Sequence, residues 1–335
     1  METKSFGFIG GGRVARIILG GFRKKIKRYN IVVAHHHSLC RSRPPPACQA
    51  SGRAGRLATM RIATHNVNGI RAAQRRGFSS WLETRCPDVI ALQEVRCPVE
   101  SLPAEAFGRY HVTYDPGTLA GRNGVALLTR RPPVAVRGWA ATVFGWSPGR
   151  EVGLVEPAVD FRLARELRHF AGEGRYLEVD LADAPVTVAS VYVPKGDSPR
   201  APRDKATASL ALARYERKMA FLTGFARQLA ANRRAAARRG REYLVAGDFN
   251  IAHTTLDLRN WRSNQNNAGF LPIEREWFAG ILSPRTLVDV IRGLHPDVDG
   301  PYSWWSWRGK AFDSDAGWRI DYQLATPQLA RSAVV

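Results

Sequence analysis

The stretch YLVAGDFNIAHTTLDLRNW, residues 243–261, joins an apolar segment of strand length to a dense group of polar residues. The opening run YLVAG is typical of a buried strand, because it is short, aromatic and β-branched, and bounded by glycine. Asp248 and Asn250 follow directly where this strand is predicted to end. Polar side chains at the end of a buried strand are candidates for binding or chemistry, because loops that carry function are held there by the sheet.

The same arrangement recurs in four other segments, each an apolar strand followed by a carboxylate, an amide or a phenol. They are MRIATHNVNG (60–69), DVIALQEV (88–95), VTVASVYVP (186–194) and GWRIDY (317–322). Their polar residues are Asn66, Asn68, Glu94, Tyr192 and Asp321. One acid after a strand is ordinary, but recurrence after separate buried strands predicts that the strand ends converge on one cleft.

These side chains supply oxygen donors, and no histidine–cysteine cluster accompanies them. Hard oxygen donors favour Mg²⁺ or Mn²⁺ over zinc. Magnesium takes one or two carboxylates and completes its shell with waters or phosphate oxygens. The sequence therefore predicts a metal-dependent phosphoryl-transfer site.

The remaining pattern predicts an α/β fold with two packed mixed sheets flanked by helices. Further strands are predicted at GVALLTR (124–130) and RYLEVDLA (175–182), and helices at 77–85 and 206–239. In the long helix the apolar positions recur every three or four residues, which predicts one buried stripe with the basic residues on other faces. The stripe is Leu212, Tyr215, Met219, Leu222, Phe225 and Leu229, and the basic residues are Arg214, Arg217, Lys218 and Arg227.

The chain is strongly basic, with 50 Lys and Arg against 29 Asp and Glu, a net charge of +21. Residues 1–59 hold twelve basic residues and one acid, so about half of the excess lies there. The rest is still basic enough to attract a polyanion such as nucleic acid. A coding bias toward arginine is an alternative cause of the charge.

Residues 1–34 are predicted to form a βαβ-like N-terminal remnant. Gly10, Gly12 and Ala15 fit a dinucleotide-binding fingerprint, and the segment resembles the opening of pyrroline-5-carboxylate reductase. Residues 35–59, with three histidines and three prolines in runs, are predicted to be an Arg/Pro-rich disordered linker.

Cysteine usage and hydropathy bound the cellular context. Four cysteines, Cys40, Cys48, Cys86 and Cys97, are too few and too scattered for a disulfide framework or a zinc ribbon. No apolar run reaches the ~18 residues of a membrane span. We expect a reduced, soluble, intracellular protein that does not enter membranes. Location in the cytoplasm at the nucleoid and a monomeric state are separate expectations.

Residues 60–335 resemble the exonuclease III and abasic-site endonuclease group of the endonuclease/exonuclease/phosphatase superfamily. The resemblance rests on seven segments that occur in family order. They are ATHNVNGIRA (63–72), DVIALQEVR (88–96), GRNGVALLTR (121–130), VYVPKG (191–196), GDFNIAHTTLDLRNW (247–261), NQNNAGFLPIEREW (264–277) and GWRIDYQLA (317–325).

The resemblance implies a four-layer αββα sandwich. It also implies metal-dependent hydrolysis 5′ of abasic sites in duplex DNA, with 3′→5′ exonuclease and 3′-phosphatase activities at 3′ ends. Glu94 and Asn68 match the metal side of such a site, and Asn66, Tyr192, Asp248, Asn250 and Asp321 match its catalytic residues. Trp304, Trp318 and Ile320 match the wall of a pocket for a base-free sugar. Arg308 matches a side chain that probes the duplex, and Lys195 lies where a phosphate contact is one of two equal alternatives, the other being exposure to solvent.

The match departs from the family in three places. A C-terminal strand with a Ser-Asp-His motif has no counterpart before Val335, so we expect the last strand to be missing and turnover by this chain to be impaired. Residues 131–174 are longer than their counterpart, and we expect a surface excursion there. His65 replaces an aromatic residue, and strand alternation predicts that it points away from Asn66 and serves structure.

Three alternatives to the nuclease stay open. One is a phosphoesterase of another superfamily branch, which would need neither the aromatic pocket nor the basic surface. Another is a catalytically inactive DNA-binding homologue, and the last is a dehydrogenase fusion through residues 1–34.

Overall fold

The computed structural model of the protein describes residues 31–35, 59–119, 121–140, 142–158, 162–199, 205–306 and 309–334. The predicted fingerprint around Gly10 and Gly12, the segment 36–58 and Arg308 lie outside these residues. What was predicted for them therefore stays a prediction.

The strands follow the apolar segments of the sequence. They are β1 (Ile31–His35), β2 (Thr59–Asn66), β3 (Val89–Gln93), β4 (His111–Asp115), β5 (Val125–Thr129), β6 (Ala135–Gly138), β7 (Val143–Trp146), β8 (Gly153–Val155), β9 (Tyr176–Asp180), β10 (Val186–Tyr192), β11 (Glu242–Asp248), β12 (Val288–Asp289), β13 (Trp304–Trp305), β14 (Gly317–Trp318), β15 (Asp321–Ala325) and β16 (Ala333–Val334). The α-helices are α1 (Ile70–Arg75), α2 (Phe78–Arg85), α3 (Lys205–Arg238), α4 (Pro272–Ile281), α5 (Val290–Leu294) and α6 (Pro327–Arg331). Short 3₁₀ turns lie at Val99–Ser101, Ala104–Phe107, Arg165–Glu173, Thr255–Asp257 and Trp261–Asn264.

The strands form two large mixed sheets and one short hairpin. The first sheet has the order β16-β1-β2-β3-β5-β4-β7-β8, and the second has the order β12-β15-β11-β10-β9-β6. Within them β2 runs parallel to β3 and β10 runs parallel to β11, while the other neighbours are antiparallel. Strands β13 and β14 pair with each other.

Strand alternation builds four layers, as the sequence predicts. Ile62 of β2 and Val89 of β3 pack between the two sheets against residues such as Val188 of β10. The adjacent residues point the other way, so that Ala63 packs with Phe78 of helix α2 outside the first sheet. Residues from β9, β10 and β11 pack in the same manner against α3 outside the second sheet. The predicted αββα sandwich is confirmed.

The long helix α3 buries a different stripe from the predicted one. Leu222, Phe225 and Leu229 are buried as predicted, but Leu212 is exposed. Lys218, which was expected on a polar face, is fully buried, because it lies three residues before Phe221 on the face that packs against the second sheet. The prediction for Lys218 is therefore wrong.

The expected surface excursion over residues 131–174 is wrong for most of its length. Strand β6 joins the edge of the second sheet, and β7 and β8 extend the first sheet beyond β4. Trp139, Leu167 and Phe170 are apolar side chains that pack against α3, and their burial there is favourable because it removes apolar area from water.

Strand β1 belongs to the first sheet, where it lies between β2 and β16. Val33 pairs with Arg61 on one side and with Val334 on the other, both antiparallel. The end of the segment predicted to be βαβ-like is therefore a strand, and it pairs with β2 and β16 of the first sheet.

Long apolar helices of the kind that cross a bilayer do not occur among the described residues.

Candidate active site

Three of the predicted site residues form one row across the second sheet. Tyr192 pairs with Asp248 in the parallel β10–β11 ladder, and Asp248 pairs with Asp321 in the antiparallel β11–β15 ladder. Directly paired residues point to the same face of a sheet. Leu244 and Ala246 lie on the same face of β11 as Asp248, and they face the space between the sheets. The row therefore lies at the mouth of that space.

The first sheet supplies the opposite wall of the same mouth. Asn66 is the last residue of β2 and pairs with Gln93 at the end of β3, after which Glu94 follows. Asn66 and Glu94 are both buried. Ile62 faces the other sheet, and Asn66 lies four residues later on the same face. The inner face thus changes from apolar to polar as the strands reach the mouth.

Asn66 connects the two walls through its side-chain amide. Its Nδ2 donates to Glu94 Oε1 at 2.8 Å and to Asp248 Oδ2 at 2.9 Å. Its Oδ1 accepts the backbone N–H of Asn68 at 3.1 Å, which holds Asn68 beside the pair. The two amide protons match the two carboxylates, so Asn66 separates two like charges and satisfies an oxygen of each.

Glu94 occupies an unusual backbone conformation. Its φ of 52° lies in the left-handed region, which costs roughly 1–2 kcal/mol for a residue other than glycine or asparagine. The surrounding turn holds it there: Gly69 N–H donates to the Glu94 carbonyl at 2.7 Å, and Val95 N–H donates to the Gly124 carbonyl at 3.0 Å. Strain of this kind is concentrated at functional positions.

Arg96 forms an ion pair with the second carboxylate oxygen of Glu94, Oε2. Its own φ is 50°, and its side chain remains 41% exposed. The guanidinium therefore approaches the buried carboxylate from the solvent side. The sequence reasoning did not assign Arg96 a role, although it ends the segment DVIALQEVR.

Asn250 follows Asp248 and bridges β10 and β11 at their ends. Its backbone N–H donates to Asp248 Oδ1 at 2.8 Å, and its Nδ2 donates to the Val193 carbonyl at 2.8 Å. Val193 N–H in turn donates to the Asp248 carbonyl at 2.9 Å. The left-handed φ of 53° at Asn250 is tolerated by asparagine. These bonds fix the carboxylate of Asp248 against both strands.

Arg175 supports Tyr192 and was also missed from the sequence. Its Nη1 donates to the Tyr192 carbonyl at 3.0 Å, and its guanidinium carbon lies 5.1 Å from the centre of the Tyr192 ring. Glu173 accepts from Arg175 Nε at 2.6 Å. As a basic residue just before β9, Arg175 has no sequence pattern that distinguishes it from the many exposed arginines.

The aromatic residues form a small cluster beside Asp321. Trp304 of β13 pairs with Trp318 of β14, and their rings meet edge to face at 6.1 Å. Ile320 is buried in the same cluster, which both half-buried tryptophans cover. Ser303 Oγ accepts the backbone N–H groups of Ile320 at 3.1 Å and of Asp321 at 3.0 Å. The predicted pocket wall and the row of polar residues are therefore adjacent.

Arg319 anchors the strand that carries Ile320 and Asp321. It is buried and donates through Nε to Asp257 at 2.7 Å and through Nη2 to Asp289 at 2.8 Å. Burial alone would raise the pKa of Asp257, but the charges and hydrogen bonds of Arg319 and Arg292 lower it to about 2. This ion network holds the β14–β15 connection rigidly.

Lys195 does not join the buried residues of the site. Its side chain is exposed, and its backbone carbonyl accepts from Lys218 at 3.2 Å. His65, in contrast to Asn66, points toward α2, where its ring lies 5.7 Å from Phe78 and 5.6 Å from Trp81. The structural role predicted for His65 is consistent with this position.

The donor set at the mouth fits a magnesium ion. Glu94 supplies carboxylate oxygens, and Asn68 is held near it, because the backbone N–H of Asn68 donates to the Asn66 side chain that also bonds Glu94. Magnesium needs only one or two carboxylates, so the set suffices even though, among the described residues, no three His, Cys, Asp or Glu side chains are placed to hold one metal ion. The Glu94 carboxylate already pairs with the positive charge of Arg96, so it is able to bind a cation.

Comparison with known proteins gives consistent matches. Residues 63–335 match the Endonuclease/Exonuclease/phosphatase family. An exodeoxyribonuclease of Bacillus subtilis (strain 168) is 30% identical over 277 residues, which cover 81% of this chain and 89% of that protein. The DNA repair nuclease APEX1 of Danio rerio is 29% identical over 288 residues, covering 85% and 78%. The solved structure of an AP endonuclease from Archaeoglobus fulgidus superposes with a TM-score of 0.62 at 26% identity, covering 81% and 88%.

Proposed function

The chain belongs to the Endonuclease/Exonuclease/phosphatase family, and from this premise we propose that it is a Mg²⁺-dependent DNA-repair phosphodiesterase. It cleaves duplex DNA on the 5′ side of abasic sites, with 3′→5′ exonuclease and 3′-phosphatase activity at 3′ ends. The names of its relatives, an exodeoxyribonuclease and the DNA repair nuclease APEX1, support a nuclease. The cytoplasmic location and the monomeric state stay predictions.

One observation carries the proposal. Asn66 of the first sheet hydrogen-bonds both Glu94 and Asp248, so one amide joins the carboxylates of the two sheets at the mouth between them. The site has oxygen donors on one wall and the row Tyr192–Asp248–Asp321 on the other. A phosphodiester lying between the walls would meet both.

Glu94 and Asn68 would hold Mg²⁺. Bound there, the ion supplies positive charge that polarises the phosphodiester and neutralises charge developing on its oxygens. Each carboxylate oxygen of Asp248 accepts a hydrogen bond, Oδ2 from the Asn66 side chain and Oδ1 from the Asn250 backbone. Asp248 is therefore a preorganised acceptor for the proton of the attacking water.

Donors on this chain stabilise the negative transition state. Tyr192 is paired with Asp248 and presents its phenol at the mouth as a phosphate contact. The amide of Asn250 has one proton engaged by the Val193 carbonyl and a second for a phosphate oxygen. Asp321 completes the row as an acceptor, and its position is fixed by Ser303.

Substrate choice rests on the aromatic cluster and on charge. Trp304, Trp318 and Ile320 offer an apolar wall beside the row, which suits a base-free sugar turned out of the helix. A normal nucleotide would first have to lose its stacking and pairing, which costs a few kcal/mol. The net charge of +21 attracts the phosphate backbone.

The decisive experiment is nicking of a duplex that carries one abasic site, by the 335-residue chain with and without Mg²⁺. We expect Mg²⁺-dependent nicking that falls by about a hundredfold or more in Glu94→Ala. Glu100→Ala, which removes an exposed acid six residues away, should nick at the wild-type rate.

Two results would contradict the proposal in different ways. Abasic-duplex binding without any nicking would identify a catalytically inactive DNA-binding homologue. Hydrolysis of small phosphoesters, with no salt-sensitive affinity for abasic duplex, would identify another branch of the family.

A further inference from the structure

A buried ion pair lies behind the site, between helices α3 and α4. Lys218 Nζ lies 2.6 Å from Glu274 Oε1, and both side chains are fully shielded from solvent. Taking two charges out of water costs several kcal/mol each, so such a pair adds little stability over an apolar pair of the same size. The function of the pair is therefore to be sought in the groups that it holds in place.

Lys218 connects the two segments that follow β10 and β11. Besides the ion pair, its ammonium donates to the carbonyl of Asn250 at 2.9 Å and to the carbonyl of Lys195 at 3.2 Å. Gly196 wraps closely over the lysine stem, since a Cβ on Gly196 would lie 2.6 Å from Lys218 Cδ, and its φ is 68°. The turn after Tyr192 and the turn after Asp248 thus share one donor.

Glu274 extends the same connection to the aromatic wall. Its second oxygen, Oε2, accepts the backbone N–H of Gly269 at 2.6 Å and of Leu271 at 3.1 Å. Gly269 also accepts the N–H of Ala252 at 2.7 Å. A Cβ on Gly269 would lie 3.0 Å from the Asn250 carbonyl oxygen and 3.5 Å from the Trp318 ring, so the loop packs directly between these residues.

We propose that Lys218 and Glu274 act together as positioning residues that set the relative placement of Asn250 and Trp318. The pair acts through backbone groups of three turns, which it contacts directly. The proposal rests on the proposed nuclease function for its kinetic test, and has a second test that does not depend on activity.

The kinetic test uses the double variant Lys218→Met with Glu274→Leu, which removes both charges and leaves no unpaired buried ion. We expect kcat per folded molecule on the abasic duplex to fall about tenfold or more, because small displacements of reacting groups are costly. The KM for the duplex should stay within about threefold, since the exposed basic surface is untouched.

The matched control is Glu178→Gln. Glu178 is also buried behind the second sheet, but it accepts from Tyr176 at 2.6 Å, and its partner in β10 is Ala189, three residues before Tyr192. Loosening of the core should lower the melting temperature of both variants. The kcat should fall only in the double variant. Equal kcat per folded molecule in the double variant and wild type would overturn the proposal.

The second test is hydrogen exchange of the intact chain, read at peptides covering 249–254 and 267–272. The amides of Ala252, Gly269 and Leu271 are bonded within this connection, so their exchange should speed up about tenfold or more in the double variant. Peptides from β10 and β11 should exchange at the wild-type rate. Unchanged exchange at 249–254 and 267–272 would overturn the proposal even if the chain nicked no DNA. Absence of nicking together with the expected exchange would contradict the proposed function alone.

Discussion

Asn66 Nδ2 lies 2.9 Å from Asp248 Oδ2, although the two residues belong to different sheets and are 182 positions apart in the sequence. This bond crosses the space between the sheets at its mouth. A shift of one sheet along the other would break it. The contact therefore fixes the position of one wall of the site relative to the other.

Replacing Asn66 with alanine should abolish most of the activity. The two carboxylates that it separates, Glu94 and Asp248, would lose a donor each and repel one another. We expect kcat for abasic-site nicking to fall about a hundredfold. Thr64→Val, two residues earlier on the same face of β2, should stay within about threefold of wild type. Similar losses in both variants would show that Asn66 has no special part in the site.

Replacing Arg96 with alanine should strengthen metal binding. Its guanidinium competes for Glu94 Oε2, and an ion pair whose guanidinium remains 41% exposed is worth up to about 1 kcal/mol. Calorimetric titration with Mn²⁺ should give a Kd about two- to fivefold lower than that of wild type. Arg122→Ala, an exposed arginine in the turn whose Asn123 carbonyl accepts from Arg96 N–H, is the control. A weaker affinity in Arg96→Ala would mean that the arginine assists the ion.

Replacing His65 with phenylalanine should protect the fold in acid. Both ring nitrogens are buried without a hydrogen-bond partner in the described part of the chain, and burial lowers the His65 pKa to about 4 from 6.5. Between pH 6.5 and 4 the unfolded chain takes up a proton that the folded chain refuses, so the stability of wild type falls as the pH falls.

Urea unfolding at pH 7 and pH 5 measures this directly. The free energy of unfolding of wild type should drop by roughly 1–2 kcal/mol more than that of His65→Phe over this interval. The two proteins should differ least at pH 7, where His65 is neutral in both states. Parallel pH dependences would mean that the imidazole is protonated in the folded protein.

Replacing Trp318 with alanine should reduce incision at abasic sites. Its ring meets Trp304 at 6.1 Å in the wall beside Asp321, and the apolar contact area lost with the sugar costs about 1–2 kcal/mol. We expect kcat/KM for the abasic duplex to fall about tenfold. Trp305→Ala is the matched control, because Trp305 packs on Phe312 and donates to Asp315 instead. A larger loss in Trp305→Ala would place the sugar pocket elsewhere.

The sequence predicted the arrangement of the site because strand alternation is a simple periodicity. Asp248 lies in register with Leu244 and Ala246, so its direction follows from the buried residues before it. The family resemblance drawn from the seven segments is confirmed by the match over residues 63–335. The roles of the individual side chains stay predictions.

Contacts between distant segments were beyond the sequence. Lys218 was expected on a polar face because lysine is rarely buried, and its partner Glu274 lies on another helix. Arg175 and Arg96 were missed for another reason: the chain has many arginines, and only the folded arrangement distinguishes these two. Strands β6, β7 and β8 were missed because their segments are short, and the pairing of β6 with β9 and of β7 with β4 joins segments that lie far apart in the sequence.

The division of the site between two sheets has a consequence for biosynthesis. A chain emerging from the ribosome presents Asn66 and Glu94 early, whereas Asp248 and Asp321 follow more than 150 residues later. Until the second sheet closes on the first, the early residues have no opposite wall. A nascent or half-folded chain therefore lacks the complete site, and the site forms only when nearly the whole chain has been made.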